Sequence, residues 1–564
     1  MDYICNPINM EYKYQFIDQK GKLSLSREAA DPSIILFKEK YYLFPSMTKG
    51  FLVSHNLTEW EFHPLKNVPV YDYAPDVRVI GDYIYFSASK WDANCSFYRS
   101  TDPINKGFEE IPGTFPFWDP NLFVDDDGKI YFYWGCSDVT PIYGVELNPQ
   151  DMTPMTEPVE LIFSNIHKYG FERRGEDHKA LNSEGESTAP YIEGPWMDKY
   201  KGKYYLQYAF PGTEFNIYGD GVYISDSPLG PFKLAKNNPF SYKPGGFIPG
   251  AGHGSTLKDK KGNWWHLATM RISVNHPFER RLGIWPAGFD KEGELFCNQR
   301  YGDWPMKVEN LMEPWKKPDW MLLSYNKPCR ASSYVEGREP KFATDENVQT
   351  WWRAAGNKSG QWIEIDLLDC LDVRAIQINF ADEIDEPKLP EGKSLIGDMP
   401  RYIDEKKYYT RWILEASIDG EEYFVIEDKS KAETDLAHDF IVREEGLKAR
   451  YIKCTIMEVP YNQNPCISGL RIFGLGKGPL PAKSDIITTE FISDLDLLVK
   501  WKDVKATGYN VLWGYAQDKL YHSYMVFGKN KLTIGALIKD QAIFVRVDAF
   551  NEVGITEGDV IKVK

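Results

Sequence analysis

Five stretches in the first 300 residues repeat one pattern. A polar residue beside proline or glycine leads into an apolar strand, a short turn and a second strand rich in tyrosine and tryptophan. They read "DPSIILFKEKYYLF" from Asp31, "APDVRVIGDYIYFSAS" from Ala74, "DPNLFVDDDGKIYFYWG" from Asp119, "EGPWMDKYKGKYYLQYA" from Glu193 and "GHGSTLKDKKGNWWHLAT" from Gly252. The turns fall at Lys38-Glu39, Gly81-Asp82, Asp127-Gly128, Lys201-Gly202 and Lys261-Gly262, residue types that suit tight hairpins. Hairpins recurring every roughly 40 to 75 residues predict the five blades of a β-propeller. The first strand of each blade starts near the central axis, so a polar residue there points into a shared funnel. Asp31, Asp119, Glu193 and His253 hold matching places. In the second hairpin Asp76 fits less well, and the equivalent place falls nearer Tyr73 or Ala74.

Beyond about residue 318 the pattern changes. "WIEIDL" alternates with period two, "RWILEASIDGEEYFVI" and "ARYIKCTI" follow, and a third region opens with "LLVKWKDVKATGYNVLWGY". The whole chain reads as all-β, divided at 1–318, 322–478 and 482–564.

Composition narrows the function. The net charge of −16 argues against nucleic acid or an anionic membrane as partner. No apolar run approaches the ~18 residues of a membrane span. The start "MDYICNPINMEYKY" lacks the basic, apolar and small-residue segments of a signal peptide. The chain is therefore expected to be cytoplasmic, or periplasmic or extracellular with a signal removed. Its eight cysteines show neither Cys-x-x-Cys spacing nor a Cys/His cluster, so buried free thiols are expected. "DDDG" at 125–128 lacks the alternating acids of a calcium loop and reads as a hairpin turn.

Three carboxylates converging in a funnel suit glycoside hydrolysis. One acid protonates the leaving oxygen, another acts at the anomeric carbon, and a third raises the pKa of the proton donor by like-charge repulsion. The residues alone do not assign these roles. However, "ADPSIILFKEKYYLF", "WDPNLFVDDDGKIYFYWG", "EGPWMDKYKGKYYLQY" and "GAGHGSTLKDKKGNWW" together resemble the family 43 glycoside hydrolases, which are five-bladed propellers with an inverting mechanism. The resemblance covers about residues 12–315. It implies Asp31 as general base, Asp119 as pKa modulator and orienting residue, and Glu193 as general acid. It makes His253 the axial histidine, which in that family often holds a calcium ion or a water network. No cofactor is required, and a structural calcium near the axis is the one metal the resemblance implies.

Trp118, Trp196, Phe117 and Tyr73 are candidate aromatic platforms for a sugar ring. Arg281, in "ERRLGIWPAGF", resembles the family's R-x-x-x-x-P return strand and is a candidate contact to a sugar hydroxyl. The polar run "FERRGEDHKALNSEGESTAPYIEGPW" reads as an insertion at the funnel mouth, mostly solvated, with Glu172, Glu176 and Asp177 as weaker substrate candidates.

"ATDENVQTWW", "QWIEIDL", "SIDG" and "ISGLRIFG" resemble the discoidin-like, coagulation-factor type module grouped as carbohydrate-binding family 32, a jelly-roll β-sandwich. That module is expected to brace the propeller rather than bind sugar. Asp345 and Asn347 are its calcium candidates, set against a plain turn. Its insertion "DEIDEPKLPEGKSLIGDMPRYIDEKKYYTR" departs from the family's compact pattern. Trp501, Tyr509 and the run from Phe544 to Asn551 resemble a fibronectin type III domain, expected to be a spacer or docking surface.

The resemblance implies an inverting exo-glycosidase acting on arabinose- or xylose-containing plant cell-wall polysaccharide, foremost an α-L-arabinofuranosidase. The alternatives are a β-D-xylosidase or exo-galactosidase of the same family, and a non-catalytic sugar-binding propeller.

Overall fold

A computed structural model describes residues 2–69, 74–90, 93–308, 313–396 and 400–563. Among these the chain is all-β, with only short 3-10 turns besides strands. Five antiparallel sheets follow one another in the first 300 residues. The first runs Ala30–Phe37, Lys40–Ser46, Gly50–Ser54, Glu61–Pro64, and the second Asp76–Ile80, Tyr83–Ser87, Cys95–Ser100, Glu109–Phe115. The third runs Asn121–Val124, Ile130–Trp134, Ile142–Leu147, Val159–Ile162. The fourth runs Ile192–Tyr200, Lys203–Phe210, Gly219–Ser225, Lys233–Leu234, with Cys136–Ser137 added beside its first strand. The fifth runs Gly252–Lys258, Trp264–Arg271, Arg280–Phe289, Leu295–Cys297. The turns Lys38-Glu39 and Lys201-Gly202 carry positive φ at both positions, the backbone that two-residue hairpins demand.

The first strands of the five sheets touch one another in a closed ring, and a sequence-encoded joint repeats around it. Each first strand is preceded, or broken by a register shift, at a residue in the left-handed region: Asp31 (φ 47°), Ala74 (53°), Asp119 (50°), Gly194 (56°) and His253 (49°). Four of these donate their backbone N–H to a side chain of the preceding sheet. Asp31 reaches Thr269 Oγ1 at 2.8 Å, Ala74 Ser46 Oγ at 2.8 Å, Asp119 Ser89 Oγ at 2.9 Å and His253 Asp220 Oδ1 at 2.7 Å.

The side chain two residues further on then accepts a backbone N–H of the next sheet. Ser33 accepts from Val77, Asp76 from Leu122, Asn121 from Met197 and Ser255 from Ile34. Non-glycine residues with positive φ are uncommon and cost of order 1 kcal/mol or more each, so these local conformations are held by the joints around them. Ala74 thus occupies the place in the second sheet, and Asp76 serves the joint instead. In the fourth sheet the place belongs to Gly194, one residue after Glu193.

The second unit is an eight-stranded antiparallel sheet built on two long strands, Gln361–Phe380 and His438–Glu458. Its insertion does not hang free. Strand Arg401–Ile403 pairs with Lys13–Gln19, whose other neighbour, Lys22–Glu28, leads into Asp31. Arg27 is buried against Asp435 of the second unit at 3.1 Å and against Asp382 at 3.6 Å.

The third unit comprises two sheets, Ile486–Ser493/Asp496–Trp501/Lys531–Ile534 and one centred on Gly508–Gly514 and Phe544–Phe550. Of the two expectations, a spacer or a docking surface, the third unit's close packing on the first unit departs from a free spacer. Trp501, Trp513 and Val545 share one continuous apolar core with Tyr208, Phe210 and Tyr242 of the fourth sheet and its return. Residues 163–190, which include the first part of the polar run read above as an insertion, lie in that interface. Gly170 N–H donates to Leu537 O at 2.8 Å, and Arg173 forks onto Asp496 at 2.7 and 3.0 Å.

Candidate active site

Where the ring of first strands opens, a cavity of about 990 Å³ gathers residues from four of the five sheets. Asp31, Asp119, Glu193 and His253 all line it, together with Phe117 and Trp118. The left-handed turns aim these side chains. His253 is the hub, with its Nδ1 3.6 Å from Asp31 Oδ1 and 3.8 Å from Asp119 Oδ2. Such an approach requires Gly194: a Cβ there would stand 2.6 Å from the imidazole ring.

Asp31 accepts from Ser46 Oγ at 2.8 Å, and Arg280 Nη1 lies 3.3 Å from its Oδ1. Arg280 is itself held by Glu28 at 2.6 and 2.9 Å. Glu193 accepts from Tyr218 Oη at 2.6 Å and from Cys136 Sγ at 3.2 Å. Ligand atoms of Asp119, Cys136 and Glu193 lie within 4.8 Å of one another.

Electrostatics follow from this crowding. Burial pushes Asp119 up to about 8, with the charges of Glu193 and Asp31 adding to it and His253 opposing. Glu193 is raised for the same first reason, and again His253 opposes. Burial works against a charged imidazole at His253, yet Asp31, Asp119, Glu193 and Asp220 outweigh it and raise its pKa. Burial and the two neighbouring carboxylates hold Cys136 as a thiol far above its ordinary value. The arrangement therefore favours a shared proton on the Asp119–Glu193 pair and favours the charged form of the imidazole beside it.

Several expected contacts lie elsewhere. Trp196 does not line the cavity. It falls two residues after Gly194, at the inter-sheet joint, where its ring is buried under the Arg78 guanidinium at 3.6 Å. Arg281 is likewise corrected. Strand alternation turns it away, onto Arg27 O at 2.5 Å and His438 Nε2 at 2.8 Å, and its neighbour Arg280 faces the cavity. Tyr73 lies outside the described residues. Glu172 is buried on Tyr208 Oη, Glu176 forks with Arg271, and Asp177 meets Asn216 and Tyr524. From the same polar run Arg174 and Tyr191 reach the wall.

Sequence reasoning also missed Cys136, Trp134, Tyr143, Phe278 and Arg401. For Cys136 a signal existed in "YWGCSD": the second strand of the third hairpin runs on past Gly135 towards the axis. For Arg401 there was none.

Calcium takes six to eight oxygen ligands. His253 offers one nitrogen whose near neighbours, Asp31 and Asp119, are engaged with it as ion-pair partners. The nearest alternative donor set contains the soft thiol of Cys136. A calcium ion beside His253 would therefore take most of its oxygen ligands from water. In the second unit Asp345 accepts from Asn347 N–H and Thr350 Oγ1, the bonds of a turn.

Comparison with known proteins finds a family match over the stretch that carries Asp31, Asp119, Glu193 and His253. Residues 24–295 match the family described as glycosyl hydrolases family 43. A β-D-galactofuranosidase of Aspergillus niger is 26% identical over 241 residues, covering 36% of this chain and 62% of that one. An arabinoxylan arabinofuranohydrolase of Paenibacillus polymyxa is 28% identical over 179 residues, covering 29% and 25%. A β-xylosidase of Xylanibacter ruminicola is 28% identical over 148 residues, covering 24% and 43%. The chain thus spans less than two thirds of the length of each of these relatives.

Proposed function

With residues 24–295 a family 43 glycosyl hydrolase domain, we propose that the chain is an inverting exo-glycosidase that releases terminal α-L-arabinofuranosyl groups from arabinoxylan-type polysaccharide. In this reading the five sheets are the blades of a propeller spanning 1–318. Residues 322–478 are a discoidin-like β-sandwich and 482–564 a fibronectin type III-like one. The single observation that carries the reading is the convergence of Asp31, Asp119 and Glu193, from three different sheets, on one cavity around His253.

The roles are those the family resemblance implies. An inverting acid and base stand about 6.5–9.5 Å apart to admit water. Asp119 and Glu193, within 4.8 Å, are too close to be that pair, which agrees with the roles the family resemblance implies: Asp119 as modulator and the neighbouring Glu193 as acid. Asp31 shares His253 Nδ1 with Asp119, is fixed by Ser46 and Arg280, and in this reading acts as the base on water. Glu193 gives its proton to the leaving oxygen, steadied by Tyr218. Trp118 supplies the stacking face. Arg174 of the 163–190 stretch and Arg401 of the 382–411 insertion contribute to the wall, which favours a pocket for a chain end over a through-running cleft. No resident metal enters this scheme.

The relatives' names cover three sugars, so the sugar is decided by assay. Purified full-length protein is tested on 4-nitrophenyl α-L-arabinofuranoside, β-D-xyloside and β-D-galactoside. Turnover of the arabinofuranoside, lost in Asp31→Asn, is the expected result. Glu193→Gln should cost about 10²–10⁴-fold on a poor leaving group and less on the activated aryl glycoside. Equal losses on both would remove Glu193 as the acid, and turnover of only the xyloside or galactoside would replace the sugar.

A further inference from the structure

We propose that the second unit is part of the sugar-binding site: its 382–411 insertion delivers Arg401 into the cavity wall as a specificity-determining residue of the first unit's active site. The proposal rests on the glycosidase reading above.

The geometry is continuous from strand to cavity. Strand Arg401–Ile403 pairs antiparallel with Lys13–Gln19, in register Gln15↔Ile403 and Ile17↔Arg401. The pairing continues on either side, with Asp18 N–H donating to Pro400 O at 3.0 Å and Asp404 N–H to Tyr14 O at 2.8 Å. Arg401 Nη1 donates to Gln15 Oε1 at 2.7 Å and to Glu28 Oε2 at 3.4 Å. Glu28 uses its other oxygen to hold Arg280, which in turn reaches Asp31. Arg401, Glu28 and Arg280 are all buried, and both arginines line the cavity.

A guanidinium is not buried without partners, because an unpaired charge there is costly. Gln15 and Glu28 are among those partners, and their bonds from Nη1 help to hold the Arg401 fork at the cavity wall. Its planar N–H array suits the vicinal hydroxyls of a sugar, which a flexible lysine ammonium matches less well. Arg401 and Arg280 share Glu28 and stand next to each other on the base's side of the cavity. A sugar bound against Asp31 is therefore read by one residue from each unit.

Full-length wild type, Arg401→Ala and Arg401→Lys are compared by calorimetric titration with L-arabinose, D-xylose and D-galactose, and by kinetics on the glycoside that wild type cleaves. Arg401→Ala should weaken sugar binding and raise KM by at least about tenfold, while kcat changes by less than about threefold. Arg401→Lys should fall between. A loss of fold alone does not give that split between KM and kcat. Wild-type affinity and KM in Arg401→Ala overturn the proposal. Should Arg401→Ala lack a cooperative melt, Arg401→Lys decides: weakened binding supports the role and wild-type binding overturns it. A wild type that binds sugar but cleaves no glycoside defeats the hydrolase reading, while the affinities still judge Arg401. A wild type that binds none of the three sugars overturns the proposal.

Discussion

Replacing His253 by glutamine, which keeps a hydrogen-bonding side chain of similar reach but removes the cation, isolates what the charge does. In the folded protein its Nδ1 lies 3.6 Å from Asp31 and 3.8 Å from Asp119. At an effective dielectric of about 20, each attraction is worth about 4–5 kcal/mol gross. Desolvation of the buried imidazolium offsets much of this, yet its pKa still stands above the ordinary value. Losing the cation makes every carboxylate around it harder to ionise. We expect the acid limb of kcat/KM against pH to move up by at least about one unit, or about 1.4 kcal/mol. Activity at pH 6 should fall by tenfold or more, on the order of that shift, and recover in part on the alkaline side.

A second readout fixes the sign for stability. Because the folded pKa of His253 is raised, its contribution is fully present below about pH 6.5 and is lost as pH rises through the folded value. Thermal melts of the variant should therefore lose most relative to wild type in acid and least in alkali. An acid limb within about 0.3 unit of wild type, on the scale where one unit is a tenfold effect, would refute the electrostatic reasoning. It would make His253 a packing residue.

Two further substitutions test the frame around the site. Gly194→Ala combines a left-handed backbone with a Cβ 2.6 Å from the His253 ring. It should cost about 1–2 kcal/mol from the backbone alone and lower kcat by displacing the imidazole, and a variant with wild-type melting and kcat would show the joint to be slack. Gly170→Val puts carbon where Gly535 O would stand 2.5 Å from a Cβ. It should loosen the third unit from the 163–190 stretch and raise KM through Arg174, read by limited proteolysis and kinetics. Unchanged KM with a detached third unit would mean the stretch keeps its shape by itself.

The periodicity of the chain carried a great deal. Alternating apolar and aromatic positions with short polar turns are local features, so hairpins such as Lys38-Glu39 and Lys201-Gly202 were legible, as were the acids at their strand starts. The convergence of Asp31, Asp119, Glu193 and His253 followed from the repeat, because equivalent positions in a ring face one axis. The repeat also limited the reading. Glu193 was matched to Asp31 by spacing, whereas Gly194 holds that backbone position, since a side chain there would collide with His253. Trp196 and Arg281 sat in the right motifs but on the wrong side of their strands, and a shift of one residue reverses the face.

Tertiary structure alone decided the rest. Arg401 lies 386 residues from its partner Gln15, and Asp435 lies 408 from Arg27. No spacing rule spans such separations, because those contacts arise from how whole sheets dock. The core that joins Trp501 and Trp513 to Tyr208 and Phe210 is of the same kind. Each of these residues has an apolar character visible in the sequence, but which surface it covers depends on the fit between units. The sequence by itself determined the sheets, the turns and the acids at the axis. Only the packing of the units decided that the pocket wall is built from more than one of them.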